Sequence, residues 1–413
     1  MANTLPVSDE PSSHPVHDRE LEAFRTEVRD FLDRVRELTS HASGRSTLER
    51  GRAYLAARFD AGLGAIDYPV ENGGRGLDRR YTEAFRAEVS SRGFDLHASG
   101  FGIGLDMCLP TIRDQGSEDL RARFLRPGLR GDDVWCQLYS EPGAGSDLAG
   151  LTTRAVRDGD EWVVTGQKVW TTGANYADFG ILLARTDWDV PKHAGISMLV
   201  LPMRQPGVEV RPLNQMTGVA HFNEVFMDGA RIPADWVVGG EGDGWRMAVA
   251  LLAHERSSIG SGGGRQPIPT DRIIDLARSA GRTAGPLVRQ DLARLVTGTR
   301  IIQWLNLRQG IHPSIPKLWR SAQGRLASQV TSGLAFPGGA AWLGDPMGTT
   351  EPGDFTSADG SHWSYGICDS RAHSLGGGTD EVQKNTLGER VLGLPREPAP
   401  DRGLPFSQVP KNA

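Results

Sequence analysis

The spacing of apolar residues divides the chain into a helical stretch, a strand-rich stretch and a second helical stretch. After a polar leader over residues 1–18, apolar positions recur every three or four residues, as one buried face of an amphipathic helix requires: Leu21, Phe24, Val28, Phe31, Val35 and Leu38. Helical patterning continues to about residue 133. The Gly- and Asn-rich run DYPVENGGRGLD predicts a loop over residues 67–78 within it.

From residue 134 the pattern changes to short β-branched runs, such as FGILLAR and ISMLVLPM, that are separated by Gly, Asp and Pro. These runs predict a small antiparallel sheet or barrel over residues 134–240. Helical periodicity then returns over residues 241–397, in segments near 245–259, 271–280, 286–308, 316–333 and 379–392. The stretch from Leu343 to Arg371 is rich in Gly, Pro and Asp, and it predicts a long surface excursion.

The fold class predicted from this order of elements is α+β. It comprises an N-terminal helical domain over residues 19–133, a middle β-barrel domain over residues 134–240, a C-terminal four-helix-bundle domain over residues 241–397 and a tail over residues 398–413. A chain of 413 residues with 38% hydrophobic residues can bury the cores of two or three domains.

Charge and cysteine usage narrow the functional classes. The formal net charge is -5 and no basic run occurs, so nucleic acid is an unexpected partner. The three cysteines form no metal-like spacing, which favours reduced thiols and a cytoplasmic location. Neither a signal peptide nor an apolar run of about 18 residues is visible, so we expect no membrane span.

The segment QLYSEPGAGSD, residues 137–147, combines three hydroxyls with two glycines that let a ligand approach the backbone closely. It suits a planar cofactor that forms hydrogen bonds, although such a segment alone is equally an ordinary polar turn. About two dozen residues later, Trp170 offers a flat apolar face beside the hydroxyls of Thr171 and Thr172. A flavin ring needs such a wall and such donors. By itself, Trp170 is also typical of a core residue.

Near the carboxyl end, the run GGGTDEVQ predicts a helix that starts at about Thr379. A helix amino terminus offers unpaired N–H groups to a ligand. Asp380 and Glu381 would repel a phosphate there, so a ribose fits the charge better. The alternative is a glycine turn in which Thr379 only caps the helix.

Together these three segments resemble the acyl-CoA dehydrogenase family, whose middle domain has a TEPGAGSD-like loop and a WITNG-like strand end. The resemblance spans roughly residues 20–395. It implies that FAD is bound by Gln137, Leu138, Tyr139, Ser140, Gly145, Ser146, Trp170, Thr171, Thr172, Gly378, Thr379, Asp380 and Glu381. Ser140 and Thr172 would lie at the polar edge of the ring. Substrate contacts are expected from Ser146, near the pantetheine arm, and from Arg256 and Gly377.

The reaction implied by the resemblance is α,β-desaturation of an acyl-CoA thioester. It requires a carboxylate that removes the α proton in a dry pocket, where burial raises its proton affinity. In many family members this carboxylate immediately precedes the GT of the last motif, where this chain has Gly377. A second family location, on the first helix of the C-terminal domain, is matched by Glu255.

The sequence around Glu255 independently predicts a carboxylate on an apolar helix face, because it shares a stripe with Ala248, Leu252 and Ile259. A carboxylate on a core face indicates function, so Glu255 is the predicted catalytic base. The alternative is an ion pair with Arg256 or another buried arginine. Neighbouring His254 falls on a different face and is expected to be an ordinary packed or surface residue.

The family's RxxFG segment is absent, since the corresponding stretch reads ARSAGRTAGPLVRQ. Arg278 or Arg282 could substitute for its arginine, which in the family reaches a neighbouring subunit's FAD, although each is also a typical solvated arginine. The resemblance therefore leaves both a homo-oligomer and a hetero-oligomer open, as a dimer or tetramer. A non-catalytic, flavin-sharing subunit is one alternative function, and an oxidase or flavin monooxygenase is another.

The partners implied by the resemblance are an acyl-CoA substrate and an electron-transfer flavoprotein or similar acceptor. Family members with the base on this helix include enzymes that act on branched or long acyl chains. A bulky or branched acyl group is therefore expected, as in fatty-acid or steroid side-chain metabolism. No residues suggest a metal site.

Overall fold

The computed structural model describes residues 15–39, 46–92, 100–217, 220–260, 270–308, 310–336, 366–399 and 401–410, without the side chains of residues 15–18, 90, 256–260 and 306. The chain divides into two compact units. The first takes in the described residues before residue 97 together with Leu129–Gly131, and the second takes in the rest. The borders of the three predicted domains stay a prediction.

The first unit is helical, as its periodicity predicts. Its helices are α1 (Pro15–Arg34), α2 (Arg36–Thr39), α3 (Thr47–Asp60) and α4 (Arg79–Ser91). The apolar stripe of α1 is buried, with Phe24, Val28 and Phe31 at most 4% exposed. Helix α1 begins before residue 19, the predicted start of the domain. The predicted loop between α3 and α4 is confirmed, and it contains only a short 3₁₀ turn, Val70–Asn72.

The second unit opens with a π-helical turn, Gly104–Cys108, that leads directly into a short helix. The helices before the sheet are α5 (Leu109–Gln115) and α6 (Glu118–Arg130). The strands are β1 (Trp135–Leu138), β2 (Arg154–Asp158), β3 (Glu161–Thr172), β4 (Phe179–Arg185), β5 (Ile196–Pro202), β6 (Val208–Leu213) and β7 (Phe222–Pro233).

The described strands form one sheet in the order β1-β4-β2-β3-β7-β6, and β5 pairs with β4. The sheet itself was predicted, but the purely antiparallel pairing was wrong. Strand β1 runs parallel to β4, with Trp135 opposite Phe179, because the β2–β3 hairpin intervenes between them in the chain. Every residue of β4 is buried, which explains its uninterrupted apolar sequence.

The C-terminal part is helical, as predicted. Its helices are α7 (Gly244–Gly260), α8 (Thr270–Ser279), α9 (Pro286–Leu307), α10 (Ser314–Ala335), α11 (Ala372–Leu375) and α12 (Asp380–Arg390). Helices α8, α9 and α10 share an apolar core around Ile273, Leu295 and Leu334. The predicted excursion lies outside the described residues up to residue 365. Within the described ranges, no helix combines the length and apolarity needed to cross a membrane.

A buried carboxylate holds α12 against α10. Asp380 accepts hydrogen bonds from Lys317 Nζ at 2.7 Å and from Arg325 at 3.0 Å. Burial opposes its charge, but these partners lower the pKa of Asp380. The Thr379 side chain caps the same helix by accepting a hydrogen bond from the Val382 N–H group.

We predict that Asp380→Asn lowers the free energy of unfolding by about 3 kcal/mol, because it leaves the charges of Lys317 and Arg325 without their carboxylate. Chemical denaturation followed by circular dichroism measures the change. Glu381→Gln is the matched control, since Glu381 occupies the next position and is exposed. Equal stability of the two variants would contradict this role for the ion pair.

Candidate flavin and acyl site

The glycine loop, Gln137–Asp147, is joined directly to the end of β3. The backbone N–H of Val169 donates to the Ser140 carbonyl at 2.9 Å. Lys168 Nζ donates to the Tyr139 carbonyl, also at 2.9 Å. The structure therefore brings together two segments that the sequence separates by about two dozen residues.

A buried ion pair, which the sequence analysis missed, fixes this junction. Glu141 lies in the glycine loop and accepts a hydrogen bond at 2.9 Å from Lys168 Nζ, and both side chains are almost completely buried. The carboxylate also accepts hydrogen bonds from the backbone N–H groups of Thr152 and Thr153 and from the Thr152 hydroxyl. Burial opposes its charge, but Lys168 and these donors lower the pKa of Glu141 to about 2.

Trp170 has an unusual backbone for a bulky residue. Its φ is +62°, which makes it the one non-glycine residue with positive φ in the described part of the chain. The register of β3 against β7 shifts between Lys168 and Thr171, so a bulge carries the left-handed residue. The residue is 57% exposed, and its ring touches Phe222 edge-on. Such local strain occurs frequently at ligand sites.

Two buried polar atoms beside Trp170 have no hydrogen-bond partner among the described residues. They are the Thr171 hydroxyl and the side-chain oxygen of Asn223, and both residues are fully buried. Asn223 lies opposite Thr171 in the β3–β7 pair and donates from Nδ2 to the Thr171 carbonyl at 3.1 Å. Asn223 was not predicted. Asn223 shares the alternating buried face of β7 with Val225 and Met227, and a polar residue in that apolar series was its sequence signal.

These residues fit a planar, hydrogen-bonding group such as a flavin. Trp170 presents an exposed ring, and the partly exposed Ser140 and Thr172 lie at the ends of the two joined segments. A Cβ placed on Gly143 or Gly145 would meet nothing within 4 Å, so the glycine loop leaves open space. Ser146 and Asp147 are exposed at the far end of that loop.

The two candidate positions for the base meet in space. An ideal Cβ built on Gly377 would lie 3.5 Å from Oε1 of Glu255. The backbone of Gly377 has a φ of +65°, in the left-handed region that favours glycine. Glu255 is partly exposed, and on the same helix Ala248 and Leu251 are buried. Its carboxylate therefore reaches the place where a side chain at position 377 would begin.

Tyr139, in the glycine loop, has a buried phenol close enough to this carboxylate to be affected by its charge. Its hydroxyl is buried, and no described atom meets hydrogen-bond geometry with it, although the Gln137 side chain lies nearby. Burial, followed by the nearby Cys108 and Glu255, raises the pKa of Tyr139 well above its usual range. The phenol is therefore protonated at neutral pH and can donate a hydrogen bond next to Glu255.

The remaining candidate residues have other partners. His254 Nε2 lies 3.1 Å from an Asp114 oxygen, and burial lowers the pKa of this histidine. Arg278 pairs with Asp275 within helix α8. Arg282 donates to the Gly333 carbonyl. The Arg256 side chain lies outside the described residues.

Of the residues predicted to contact the ribose, some are exposed at the start of α12 and one is turned inward. The Asp380 carboxylate is turned inward to its ion pair, whereas Gly378 and Glu381 are exposed. The Thr379 side chain caps α12. Any ligand at this helix end would therefore meet backbone groups and Glu381 instead of the Asp380 side chain.

The chain was compared with known families and proteins. The model of the acyl-CoA dehydrogenase N-terminal domain matches residues 18–132, and that of the middle domain matches residues 136–230. The chain is 38% identical over 403 residues to acyl-CoA dehydrogenase IpdE1 of Mycobacterium tuberculosis, covering 92% of this chain and 99% of that protein.

Two solved structures are also similar. The Tcur3481-Tcur3483 steroid ACAD has 28% identity and a TM-score of 0.73, covering 92% of this chain and 98% of that chain. The ChsE4-ChsE5 complex from Mycobacterium tuberculosis has 25% identity and a TM-score of 0.71, covering 95% and 100%.

We predict that Glu141→Gln lowers the free energy of unfolding at neutral pH by about 3–5 kcal/mol, because Lys168 keeps its charge in a buried position without a partner. Because the folded-state pKa of Glu141 is lowered from 4.5 to about 2, its contribution is present above pH 4.5 and is lost as pH falls towards 2. The difference between the two proteins should shrink over that range.

Thermal unfolding at a series of pH values measures this dependence. Glu209→Gln is the matched control, because Glu209 forms an exposed pair with Arg211 that should contribute little. A constant difference between wild type and Glu141→Gln down to pH 2 would argue against a paired, ionised Glu141.

Proposed function

This chain belongs to the acyl-CoA dehydrogenase family, and from that membership we propose that it desaturates an acyl-CoA thioester between its α and β carbons, with Glu255 as the base. One observation carries the proposal. The Glu255 carboxylate reaches the site of the missing side chain at Gly377, at 3.5 Å from its Cβ position. A base from helix α7 can thus serve the same substrate carbon as a base from position 377.

FAD is the cofactor that the family membership implies, and when bound it supplies the acceptor for the β hydride. The exposed ring of Trp170 would pack against the flavin, and the hydroxyls of Ser140 and Thr172 would donate to its polar edge. The Thr171 hydroxyl and the Asn223 oxygen, which have no hydrogen-bond partner among the described residues, offer a further donor and acceptor beside it. Donors fixed before the reaction stabilise charge that develops during it.

The surroundings of Glu255 support its role as a base. Glu255 lies one turn after the buried Leu251 on helix α7, so its side chain projects from the apolar side of that helix. In this proposal Glu255 takes the α proton. The protonated Tyr139 hydroxyl would be available as a hydrogen-bond donor close to Glu255. Ser146 and Arg256 remain proposed contacts for the substrate.

We further propose a bulky, ring-bearing acyl group. Gly377 leaves the space beside Glu255 that a larger side chain at that position would fill. The similar Tcur3481-Tcur3483 structure is that of a steroid ACAD, which supports a substrate as large as a steroid. Electrons would leave through an electron-transfer flavoprotein or a similar acceptor.

A second candidate function is a subunit of a two-chain enzyme. Both similar solved structures, Tcur3481-Tcur3483 and ChsE4-ChsE5, are named for two components. The family's RxxFG segment is absent here, and Arg278 and Arg282 are engaged within this chain. Expression alone and with a second family chain from the same genome tests this. Flavin binding and activity that require the second chain would establish the heteromer.

We predict that Glu255→Gln retains FAD and lowers the rate of flavin bleaching by an acyl-CoA by about 10²–10⁴-fold, the usual contribution of a general base. Anaerobic stopped-flow absorbance, with a panel of straight-chain, branched and ring-bearing thioesters, measures the rate. His254→Gln is the matched control on the same helix and should bleach at close to the wild-type rate. Normal bleaching by Glu255→Gln would overturn the assignment of the base.

We also predict that Gly377→Ala raises the KM for ring-bearing acyl-CoA more than the KM for a short straight-chain thioester, because its methyl group enters the space beside Glu255. The left-handed φ adds a backbone cost of about 1–2 kcal/mol that is common to all substrates. Gly376→Ala is the control, since Gly376 has an ordinary φ of -69°. An equal effect on both substrates would show that only the backbone matters.

A further inference from the structure

The tail, residues 401–410, forms hydrogen bonds with the loop between β4 and β5. The backbone N–H of Phe406 donates to the Val190 carbonyl at 2.9 Å, and that of Ser407 donates to the Trp188 carbonyl at 2.8 Å. Phe406 is buried, although most of its neighbours in the tail are exposed. No sequence motif predicts a role for this tail.

Phe406 covers a buried arginine. The guanidinium carbon of Arg185 lies 3.5 Å from the centre of the Phe406 ring, and the side chain of Arg185 is fully buried. Burial lowers the pKa of Arg185 to about 10, so it still carries its charge at neutral pH. The aromatic face supplies part of the stabilisation that water would otherwise give to this cation.

Arg185 connects the segment that follows the glycine loop to the β4–β5 loop. Its guanidinium donates to the carbonyls of Ala149 at 2.7 Å, Leu151 at 3.1 Å and Lys192 at 3.0 Å. Residues 149–151 come directly after the exposed end of the glycine loop. One planar cation therefore fixes two loops, and Phe406 packs on its face.

A second connection runs through Lys192. Its ammonium lies 3.0 Å from Asp147 in the glycine loop and 3.0 Å from Asp401 in the tail. Asp147 is exposed, so this bridge is weaker than the buried contact of Phe406 with Arg185. It nevertheless joins the tail to the residue next to Ser146.

We propose that the tail, residues 401–410, is a clasp that positions the glycine loop for FAD and acyl-CoA, with Arg185 and Lys192 as positioning residues. This inference rests on the proposed function for its ligands. No tail residue needs to contact either ligand, because the clasp acts by restricting the backbone of residues 147–151. A loop held in its binding conformation loses less conformational freedom when the ligand binds.

Phe406→Ala in the full-length enzyme, together with any required partner chain, tests the clasp. We expect the Kd for FAD and the KM for acyl-CoA each to rise about tenfold, which corresponds to about 1.4 kcal/mol. The kcat at saturating FAD and acyl-CoA should stay near the wild-type value. Titration of apoenzyme with FAD, followed by flavin fluorescence, gives the Kd without reference to turnover.

Four further variants separate an effect on loop position from an effect on stability alone. Phe406→Leu keeps the apolar bulk without the aromatic face and should show a smaller rise in Kd. Lys192→Met should raise KM while Lys192→Arg restores it, since arginine can bridge the same two carboxylates. Gln408→Ala is the control, because Gln408 is exposed one turn further along the tail.

A lower melting temperature with unchanged Kd for FAD and unchanged KM would overturn the proposal and leave the tail a purely structural element. If Phe406→Ala does not fold, the same readouts from Phe406→Leu and Lys192→Met decide. Failure of wild type to desaturate any thioester would contradict the proposed function, whereas the FAD titration would still judge the clasp.

Discussion

The buried ion pair between Glu141 and Lys168 is the interaction on which the candidate site depends. It joins the loop that follows β1 to the end of β3, and these two strands are not neighbours in the sheet. Because both charges are withdrawn from water, neither residue can be lost without stranding the other. The ion pair thereby keeps three groups close to each other: the hydroxyls of Ser140 and Thr172 and the ring of Trp170.

In the proposed active centre, the carboxylate base can come from either of two places in the chain. A carboxylate is needed beside the α carbon, but the fold brings helix α7 and the residues before helix α12 to the same point. Glu255 and Gly377 are consequently complementary: the glycine leaves the space, and the glutamate reaches into it. Under the proposed function, the position of the base and the size of the acyl group are therefore linked.

The tail extends this logic to a part of the chain that carries no recognisable motif. Arg185 is buried and has no carboxylate within salt-bridge distance in the part of the chain that the structure describes. It is stabilised by three carbonyls and by the ring of Phe406. Since those carbonyls belong to loops beside the glycine loop, a stabilising contact also fixes geometry. In the proposed clasp, stability and ligand binding therefore depend on the same residues.

The sequence by itself determined the order of helical and strand-rich segments and the family that its motifs indicate, because periodicity and local residue chemistry are properties of neighbouring positions. It also predicted Glu255 as the catalytic base, because this carboxylate lies in an apolar stripe of its helix, and this stays a prediction. The parallel pairing of β1 with β4, the partners of Glu141 and Arg185, the unpartnered Asn223 oxygen and the meeting of Glu255 with Gly377 were decided only by the tertiary structure. Each joins residues far apart in the chain, and no local pattern specifies which distant segment will supply a partner.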